Sequence, residues 1–349
     1  MKKLGEVCEI KTGNKDTQNK VENGKYPFFV RSNTVEKIDS YSYDGEAILT
    51  SGDGVGVGKN FHYINGKFDF HQRVYALRNF RNGYSGKYIY HLFSEKFYDR
   101  VRKLSAKNSV DSVRMDMISE MKVYFPLLLE QQKISSFLSL IDERIQTQNK
   151  IINDLKTLKT ATAKKIFSGE LRFKDDNGND FSEWEDKKLG DISIKKSSNI
   201  SANTLEENQG NFKIYGANGL LKEIDFYREE KPYIAIVKDG AGVGRLLLCE
   251  GKSSVLGTLD IIKNKEQTDL LFLYYLLETI DFTKFTTGST IPHIYFKDYS
   301  KEIIGLPSFP EQTKIANSLS SIDSKIDIEN QLLQKLEAQK KYLLQNMFV

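Results

Sequence analysis

The chain has 349 residues, which exceeds the size of one typical domain and predicts two globular units. Hydrophobic residues make up 39% and charged residues 28%, so the composition excludes a collagen-like or wholly disordered chain. A formal net charge of +4 permits nucleic-acid binding without indicating it, and two cysteines are too few for a disulfide framework or a four-thiolate zinc site. The longest apolar run, Leu270 to Leu277, is too short for a membrane span, so we expect a cytoplasmic protein with no membrane partner.

Two kinds of sequence pattern alternate along the chain. Residues 1–126 contain short apolar and aromatic runs separated by Gly, Asn and Asp, which predicts strands with a few helices. In residues 127–170 apolar side chains recur at spacings of three and four, which predicts a long helix with one coiled-coil-like seam. A polar linker at residues 171–184 follows. Residues 185–307 then return to the strand pattern and residues 308–349 to the helical pattern.

Three segments of the first half return 181 to 186 residues later, in the same order. The opening Lys-Lys-Leu-Gly at residue 2 recurs at residue 187, and the glycine loop that begins at Asp53 recurs at Asp239. The Pro-X-X-X-Glu-Gln sequence that begins at Pro126 recurs at Pro307. The chain is therefore predicted to contain two copies of one unit, each a strand-rich domain followed by a long helix.

Each predicted helix has about 40 residues and a length of about 60 Å, too long to be covered by one small domain. We expect each helix to pack against the other, because the copies have matching seams. The predicted packing residues are Ile134, Leu138, Ile141, Ile145, Ile152, Leu155, Ile315, Leu319, Ile322, Ile326, Leu333 and Leu336. The alternative is an amphipathic helix that packs only on its own domain.

Catalytic motifs fail when they are tested letter by letter. A phosphate-binding loop ending at Lys59 would need Gly at position 53 and Ser or Thr at position 60, where Asp53 and Asn60 stand. The chain has six prolines but no Pro-Pro pair, which excludes the usual tetrad of DNA amino-methyltransferases. We find no hydrolase, metalloprotease or Cys/His cluster motif and expect a protein that is not an enzyme.

The order of these segments resembles the specificity subunits of type I restriction-modification systems. The residues that carry the resemblance are the Lys-Lys-Leu-Gly starts, the glycine loops, Tyr215 to Gly219, Gly288 to His293, and Arg172 to Asp175 at the junction. The resemblance covers the whole chain. It implies an α+β fold in which two target-recognition domains, 1–126 and 185–307, are separated by two long antiparallel coiled-coil helices, 127–170 and 308–349, with an internal pseudo-two-fold repeat.

The resemblance also implies a function and partners. Each domain would bind one half of a bipartite double-stranded DNA target, and the helices would set the distance between the halves. The protein would be a non-catalytic subunit of a bacterial or archaeal complex that recruits two modification subunits and restriction subunits. S-adenosylmethionine would bind the modification subunits, and this chain would hold no cofactor.

DNA contacts are expected from polar and cationic side chains in and near the glycine loops. Glycine allows close backbone approach to a phosphate, and Arg or Asn can contact guanine or adenine bidentately. The candidates are Arg31, Ser32, Asn33, Asp53, Gly54, Lys59, Arg73, Ser109, Ser112 and Arg114 in the first copy, and Asn218, Lys238, Asp239, Gly240, Arg245, Ser289, Thr290 and His293 in the second. Arg73 aligns with Thr258, a difference that two unlike half-sites would require. For the glycine loops, a simple tight turn is the alternative.

Two other functions stay open at this level. One is a single-chain modification or cleavage enzyme with an unrecognised active site. The other is a coiled-coil adaptor that does not bind DNA.

Overall fold

The computed structural model describes residues 1–54, 56–105, 112–288 and 290–348. The chain divides into two compact units. Unit 1 consists of Met1–Asn149 together with Gln331–Val349, and unit 2 consists of Lys150–Asn330. None of the helices in the described part of the chain combines the length and apolar character that crossing a bilayer requires.

Unit 1 contains a mixed sheet covered on one face by a helix. Its strands are β1 (Lys2–Lys3), β2 (Glu9–Thr12), β3 (Tyr26–Phe29), β4 (Val35–Ile38), β5 (Tyr43–Ser51), β6 (Phe61–Phe70), β7 (Val74–Arg78) and β8 (Lys122–Val123). Its shorter helices are α1 (Leu4–Val7), α2 (Gly86–Leu104) and α3 (Met115–Ser119), with a 3₁₀ turn at Thr17–Asn19. Within the described residues the strand order is β2-β7-β5-β6-β3-β4, and β1 pairs separately with β8.

Alternation along β5 explains how the sheet of unit 1 is buried on both faces. Successive strand residues point to opposite faces. Ala47 and Leu49 pack in the cluster on one face, whereas Ile48 packs with Phe93 and Phe97 of α2 on the other. All five side chains are fully buried. The strand therefore anchors the loop that follows it, which carries the first set of candidate DNA contacts.

The two long helices predicted after the prolines are present. They are α4 (Leu128–Phe167), with 40 residues, and α8 (Phe309–Met347), with 39. Of the twelve predicted packing residues, seven are buried and five are half-buried. The buried ones are Leu138, Ile141, Ile152, Ile315, Leu319, Ile326 and Leu336, and the half-buried ones are Ile134, Ile145, Leu155, Ile322 and Leu333.

Unit 2 repeats the strand pairings of unit 1. Its elements are β9 (Glu185–Lys188), α5 (Leu189–Ile192), β10 (Ser193–Ser197), β11 (Phe212–Gly216), β12 (Gly219–Ile224), β13 (Tyr233–Val237), β14 (Leu246–Cys249), β15 (Ser254–Val255), β16 (Leu259–Asn264), α6 (Leu270–Glu278), α7 (Phe296–Tyr299) and β17 (Ile303–Leu306), with 3₁₀ turns at Ala202–Leu205 and Phe282–Phe285. The described strands form the orders β10-β16-β13-β14, β12-β11-β15 and β17-β9. Every strand pairing among β2, β3, β4, β5, β6 and β7 of unit 1 has a counterpart in unit 2. There β14 and β15 together take the place of β6.

Each unit contains half of each long helix. In unit 1 the first half of α4 and the second half of α8 share one core, and Asp142 forms an ion pair with Lys340. In unit 2 the second half of α4 shares a core with the first half of α8, and Lys159 lies 2.9 Å from Asp323. Because α4 numbers rise as α8 numbers fall, the helix halves within each unit run in opposite directions. These contacts contradict the alternative in which each helix packs only on the domain before it.

A glutamine in the first turn of each long helix explains part of the repeated Pro-X-X-X-Glu-Gln sequence. The Gln131 amide donates to the Pro126 carbonyl at 2.8 Å, and the Gln312 amide donates to the Pro307 carbonyl at 2.9 Å. Each side-chain oxygen also accepts from the backbone N–H that precedes α2 or α6, at 3.0 and 2.8 Å. The glutamine therefore ties the start of the long helix to the domain before it, by the same bonds in both units.

The glutamate of that motif behaves differently in the two units. Glu311 is fully buried and accepts from Arg172 Nε at 2.8 Å, from the second Arg172 nitrogen at 3.0 Å and from Trp184 Nε1 at 3.1 Å. Glu130, its counterpart in unit 1, is exposed. The segment between α4 and β9 thus folds over the start of α8 inside unit 2.

Candidate nucleic-acid interface

The glycine loops after β5 and β13 begin with the same tight turn and differ further on, where Gly242 has φ +92° and its counterpart Gly56 is outside the left-handed region. Gly54 has φ +84° and Gly240 has φ +83°, a left-handed conformation that favours glycine. The Val57 N–H donates to the Gly54 carbonyl at 3.1 Å, and the Val243 N–H donates to the Gly240 carbonyl at 3.2 Å. The Lys59 N–H donates to the Gly56 carbonyl and the Arg245 N–H donates to the Gly242 carbonyl, each at 3.0 Å. These four amide groups are therefore bonded inside the loop, and within the described residues they are not free to bind a phosphate.

The aspartate at the start of each loop pairs with the segment that leads into α3 or α7. Asp53 forms a backbone bridge with Ser112 and Asp239 forms one with His293. The Gly240 N–H adds a bond to the Pro292 carbonyl at 2.9 Å. Two sets of candidates far apart in sequence are therefore brought together at the same edge of both units.

In unit 1 the Asp53 carboxylate lies between two arginines. Arg31 donates to Asp53 Oδ1 at 3.2 Å, and an Arg73 guanidinium nitrogen lies 3.6 Å from Asp53 Oδ2. The exposed side-chain fractions are 45% for Arg31, 66% for Arg73 and 23% for Asp53. The carboxylate is thus half-hidden behind two guanidinium groups that face solvent. We call Arg31, Asp53 and Arg73 the arginine cluster.

Residues that the sequence interpretation missed support the arginine cluster. His71 is buried, and its Nδ1 accepts from the Arg73 backbone N–H at 2.9 Å. Burial and the nearby Arg31 charge lower the pKa of His71, which keeps the ring neutral and able to accept this bond. Asp16 accepts from the Gln72 amide at 3.2 Å beside it. Asp16 and Gln72 are 56 residues apart and have no motif, so no sequence signal marked them.

In unit 2 the matching position is built from different side chains. Arg245 donates to the Asn218 side-chain oxygen at 3.0 Å and to the Ala217 carbonyl at 2.9 Å. Lys238 lies 3.2 Å from Asp260, a buried carboxylate that the sequence interpretation did not single out. The residue that aligns with Arg73 is Thr258, which is exposed. The two units thus have loops with the same first turn and the same bridge but with different polar groups.

Several candidate DNA-contact residues lie outside the arginine cluster of unit 1 and the Arg245–Asn218 pair of unit 2. The Lys59 ammonium lies over the Tyr98 ring, 4.7 Å from its centroid, and Arg114 pairs with Asp116 at 3.4 Å. The Ser32 hydroxyl donates to the Thr34 carbonyl at 3.1 Å. Asn33 and Thr290 are exposed. Ser109 and Ser289 lie outside the described residues.

The structure also shows the state of the two cysteine thiols and whether the described residues could bind a metal ion. Burial raises the pKa of the Cys8 and Cys249 thiols to about 12, so both stay protonated near neutral pH. Among residues 1–54, 56–105, 112–288 and 290–348, no group of three or more His, Cys, Asp or Glu side chains could hold a metal ion.

Comparison with known proteins identifies the family. The model of the type I restriction modification DNA specificity domain matches residues 1–157 and matches again at residues 181–338. The chain belongs to this family. Its specificity subunits are non-catalytic components of restriction-modification complexes, so the chain is not itself the enzyme of such a system.

Relatives and solved structures of this family align with most of the chain. The type I restriction enzyme MjaX specificity subunit of Methanocaldococcus jannaschii is 27% identical over 298 residues, covering 77% of this chain and 68% of the relative. The EcoDI specificity subunit of Escherichia coli is 23% identical over 381 residues, covering 94% and 82%. The crystal structure of the S subunit from M. genitalium has 20% identity and a TM-score of 0.71, covering 100% of this chain and 95% of that one. A second structure, from work on assembly of the type I system, has 15% identity and a TM-score of 0.57 over 99% and 96% of the two chains.

Proposed function

We propose that this specificity subunit binds a bipartite DNA sequence, with each unit contacting one half-site. The observation that carries the proposal is the pair of matched loops, which have the same first turn and the same bridge to the segment before α3 or α7 but carry different side chains. Two different half-sites require different polar side chains on a similar backbone, because base-edge contacts depend on side-chain identity.

The long helices are proposed to form an antiparallel coiled coil that sets the spacing between half-sites. The matched ion pairs support this role, since Asp142–Lys340 in unit 1 and Lys159–Asp323 in unit 2 join equivalent positions of the two helices. Polar pairs in a helix seam fix register at some cost in stability. The proposal includes an internal pseudo-two-fold repeat, and it is supported by the contribution of each helix to the cores of both units.

The proposal includes partners. Two modification subunits, which would bind S-adenosylmethionine, are expected to methylate the target, and restriction subunits are expected to cleave unmodified DNA. This division of labour accounts for the absence of methyltransferase and nuclease motifs from the sequence.

The experiment is a genome-wide map of methylated adenine in cells with and without the gene for this chain. A bipartite motif with a fixed gap is expected to lose its methylation in the deletion strain and to regain it on complementation. An unchanged map would contradict the proposal, and so would methyl transfer to DNA by the purified chain alone.

A further inference from the structure

The arginine cluster combines two cations with one anion at an exposed edge of unit 1. A surface that bound only phosphates would gain from removing Asp53, because its negative charge repels the DNA backbone. The Asp53 carboxylate nevertheless accepts a hydrogen bond from an Arg31 guanidinium nitrogen at 3.2 Å. Its other oxygen lies 3.6 Å from an Arg73 guanidinium nitrogen, within ion-pair distance. Its presence therefore favours a role in orienting the arginines over a role in general attraction.

Orientation matters for contact with bases. A guanidinium group has five N–H donors in a planar fork, so an arginine that gives one of them to Asp53 keeps others for a ligand. Two parallel donors match the O6 and N7 acceptors of guanine in the major groove. A carboxylate that fixes the fork before binding lowers the side-chain entropy lost on contact.

The backbone of the cluster is fixed as well. The Arg73 N–H donates to His71 Nδ1 at 2.9 Å, and the Arg73 carbonyl accepts from the Gly52 N–H at 2.7 Å. Gly52 directly precedes Asp53, so the acid and the arginine it orients are tied to each other through the main chain. Such support is what a precise base contact needs and what a loose phosphate contact does not.

Unit 2 has a different arrangement at the same place. Thr258 replaces Arg73, and Arg245 donates to the Asn218 side-chain oxygen and the Ala217 carbonyl. Asp239 meets His293 through the backbone, as Asp53 meets Ser112. The two units therefore share the backbone bridge, whereas the arginine–aspartate–arginine arrangement belongs to unit 1.

We infer that Arg31 and Arg73, oriented by Asp53, contact guanine in the half-site bound by unit 1. This inference rests on the proposed function and adds a base identity to it. At least one G·C pair at a fixed position of that half-site depends on these arginines, and Asp53 acts as a positioning residue that does not touch the base.

The test uses the complete complex with its modification subunits and maps methylated motifs for the wild type and for Arg31→Ala, Arg73→Ala and Asp53→Asn. Arg245→Ala, in unit 2, identifies the other half-site. Arg102→Ala is the matched control, because Arg102 is an exposed α2 arginine that pairs with nearby Asp99, at 3.4 Å. Each arginine variant of the cluster is expected to weaken the preference for guanine at one position by about 10-fold or more. The other half-site and the control variant should keep the wild-type motif, which also shows that the protein folds.

Asp53→Asn separates base contact from phosphate contact. If the inference holds, the variant loses discrimination at the guanine position although it has lost a negative charge. A gain in affinity that is equal for all sequences, with the motif unchanged, would assign the arginines to phosphates and overturn the inference. A half-site of unit 1 without any G·C pair would also overturn it. If the wild-type complex gave no bipartite motif at all, the proposed function itself would fail.

Discussion

His91 lies in the second turn of α2, buried beside the ion pair that joins the two long helices in unit 1. Its Nδ1 is 3.9 Å from Asp142, the partner of Lys340. Burial lowers the pKa of His91 to about 4, with Asp142 opposing and Lys340 and Lys87 assisting the shift. At neutral pH the ring is therefore uncharged in the folded state.

This burial predicts acid-sensitive stability in unit 1. An unfolded histidine has a pKa near 6.5, so between pH 6.5 and 4 the unfolded state binds more protons than the folded state. The stabilising contribution is complete above pH 6.5 and is lost as pH falls, on the order of 2 kcal/mol by pH 4.5. His91→Gln should show a smaller loss. Hydrogen exchange of α2 measures the effect, since the single tryptophan lies in unit 2.

His62 and His71 provide the internal reference for this experiment. Burial lowers the pKa of both, so both add to the acid sensitivity of the wild type and of the variant alike. The difference between the two proteins then reports His91 alone. Identical pH profiles for the two would contradict the assignment of a neutral buried ring.

The sequence predicted some residues at this scale and not others. Arg31, Asp53 and Arg73 were all named as candidates, because arginine and a glycine loop are recognisable by type. Their contact was not predictable, since Arg31 and Asp53 are 22 residues apart and meet only when β3 and β5 lie in one sheet. His71 was missed for a similar reason. Its role is to accept a backbone bond, which depends on burial and ring orientation.

At the scale of elements, the segment between α4 and β9 is fixed to the first turn of α8 through one carboxylate. Glu311 is fully buried and takes hydrogen bonds from Arg172 and Trp184, 139 and 127 residues away. The sequence predicted only a linker here, because nothing in its composition indicates which distant side chain it will meet.

Replacing this carboxylate is expected to loosen the segment. Glu311→Ala leaves the Trp184 N–H without its acceptor and leaves Arg172 with the Ser182 carbonyl and Glu183 as partners. It should destabilise unit 2 by about 2 kcal/mol, less than the loss of a fully buried pair because Arg172 is 27% exposed. Emission of the single tryptophan, followed through urea unfolding, measures both the local change and the stability.

Glu130→Ala is the matched control for this prediction. Glu130 has the equivalent place in the repeated motif but is exposed in unit 1, so the change should alter stability by less than about 0.5 kcal/mol. Equal effects of the two substitutions would mean that the motif glutamate stabilises the helix start itself and not the segment packed on it.

The long helices were the elements most predictable from sequence, because an apolar repeat with spacings of three and four, sustained over many turns, is typical of helices that pair along their length. The ion pairs between them were less so. Lys159 and Lys340 pair with Asp323 and Asp142, which lie far away in the sequence and have no motif that would mark them as partners. The strands of unit 2 also differ in detail from those of unit 1, since β14 and β15 replace the continuous β6.

For the whole molecule, the proposed spacing role of the helices gives a quantitative prediction. Removing seven residues from the middle of each helix, 147–153 and 328–334, keeps the heptad seam and shortens each helix by about 10 Å. The gap in the methylated motif should then shrink by about three base pairs, at about 34 Å per turn of duplex. Methylation mapping reads the gap directly.

The control for the deletion replaces the same residues with other seam-preserving residues of equal number. That protein should keep the wild-type gap. An unchanged gap in the shortened protein would mean that the helices do not set the spacing, while the half-site sequences themselves would still report on the two units.

Unit 1 is built from two segments that are far apart in the sequence, and this affects the order of folding during synthesis. Unit 2 is one continuous stretch of chain, whereas the core of unit 1 includes Leu343, Met347 and Phe348, which are synthesised after all of unit 2. Although domains are generally completed in the order of their translation, here unit 1 is completed only after residues that follow unit 2 have been synthesised. Until then the apolar core of unit 1 stays exposed to solvent. The nascent protein therefore passes through a state in which unit 2 is complete and unit 1 is not.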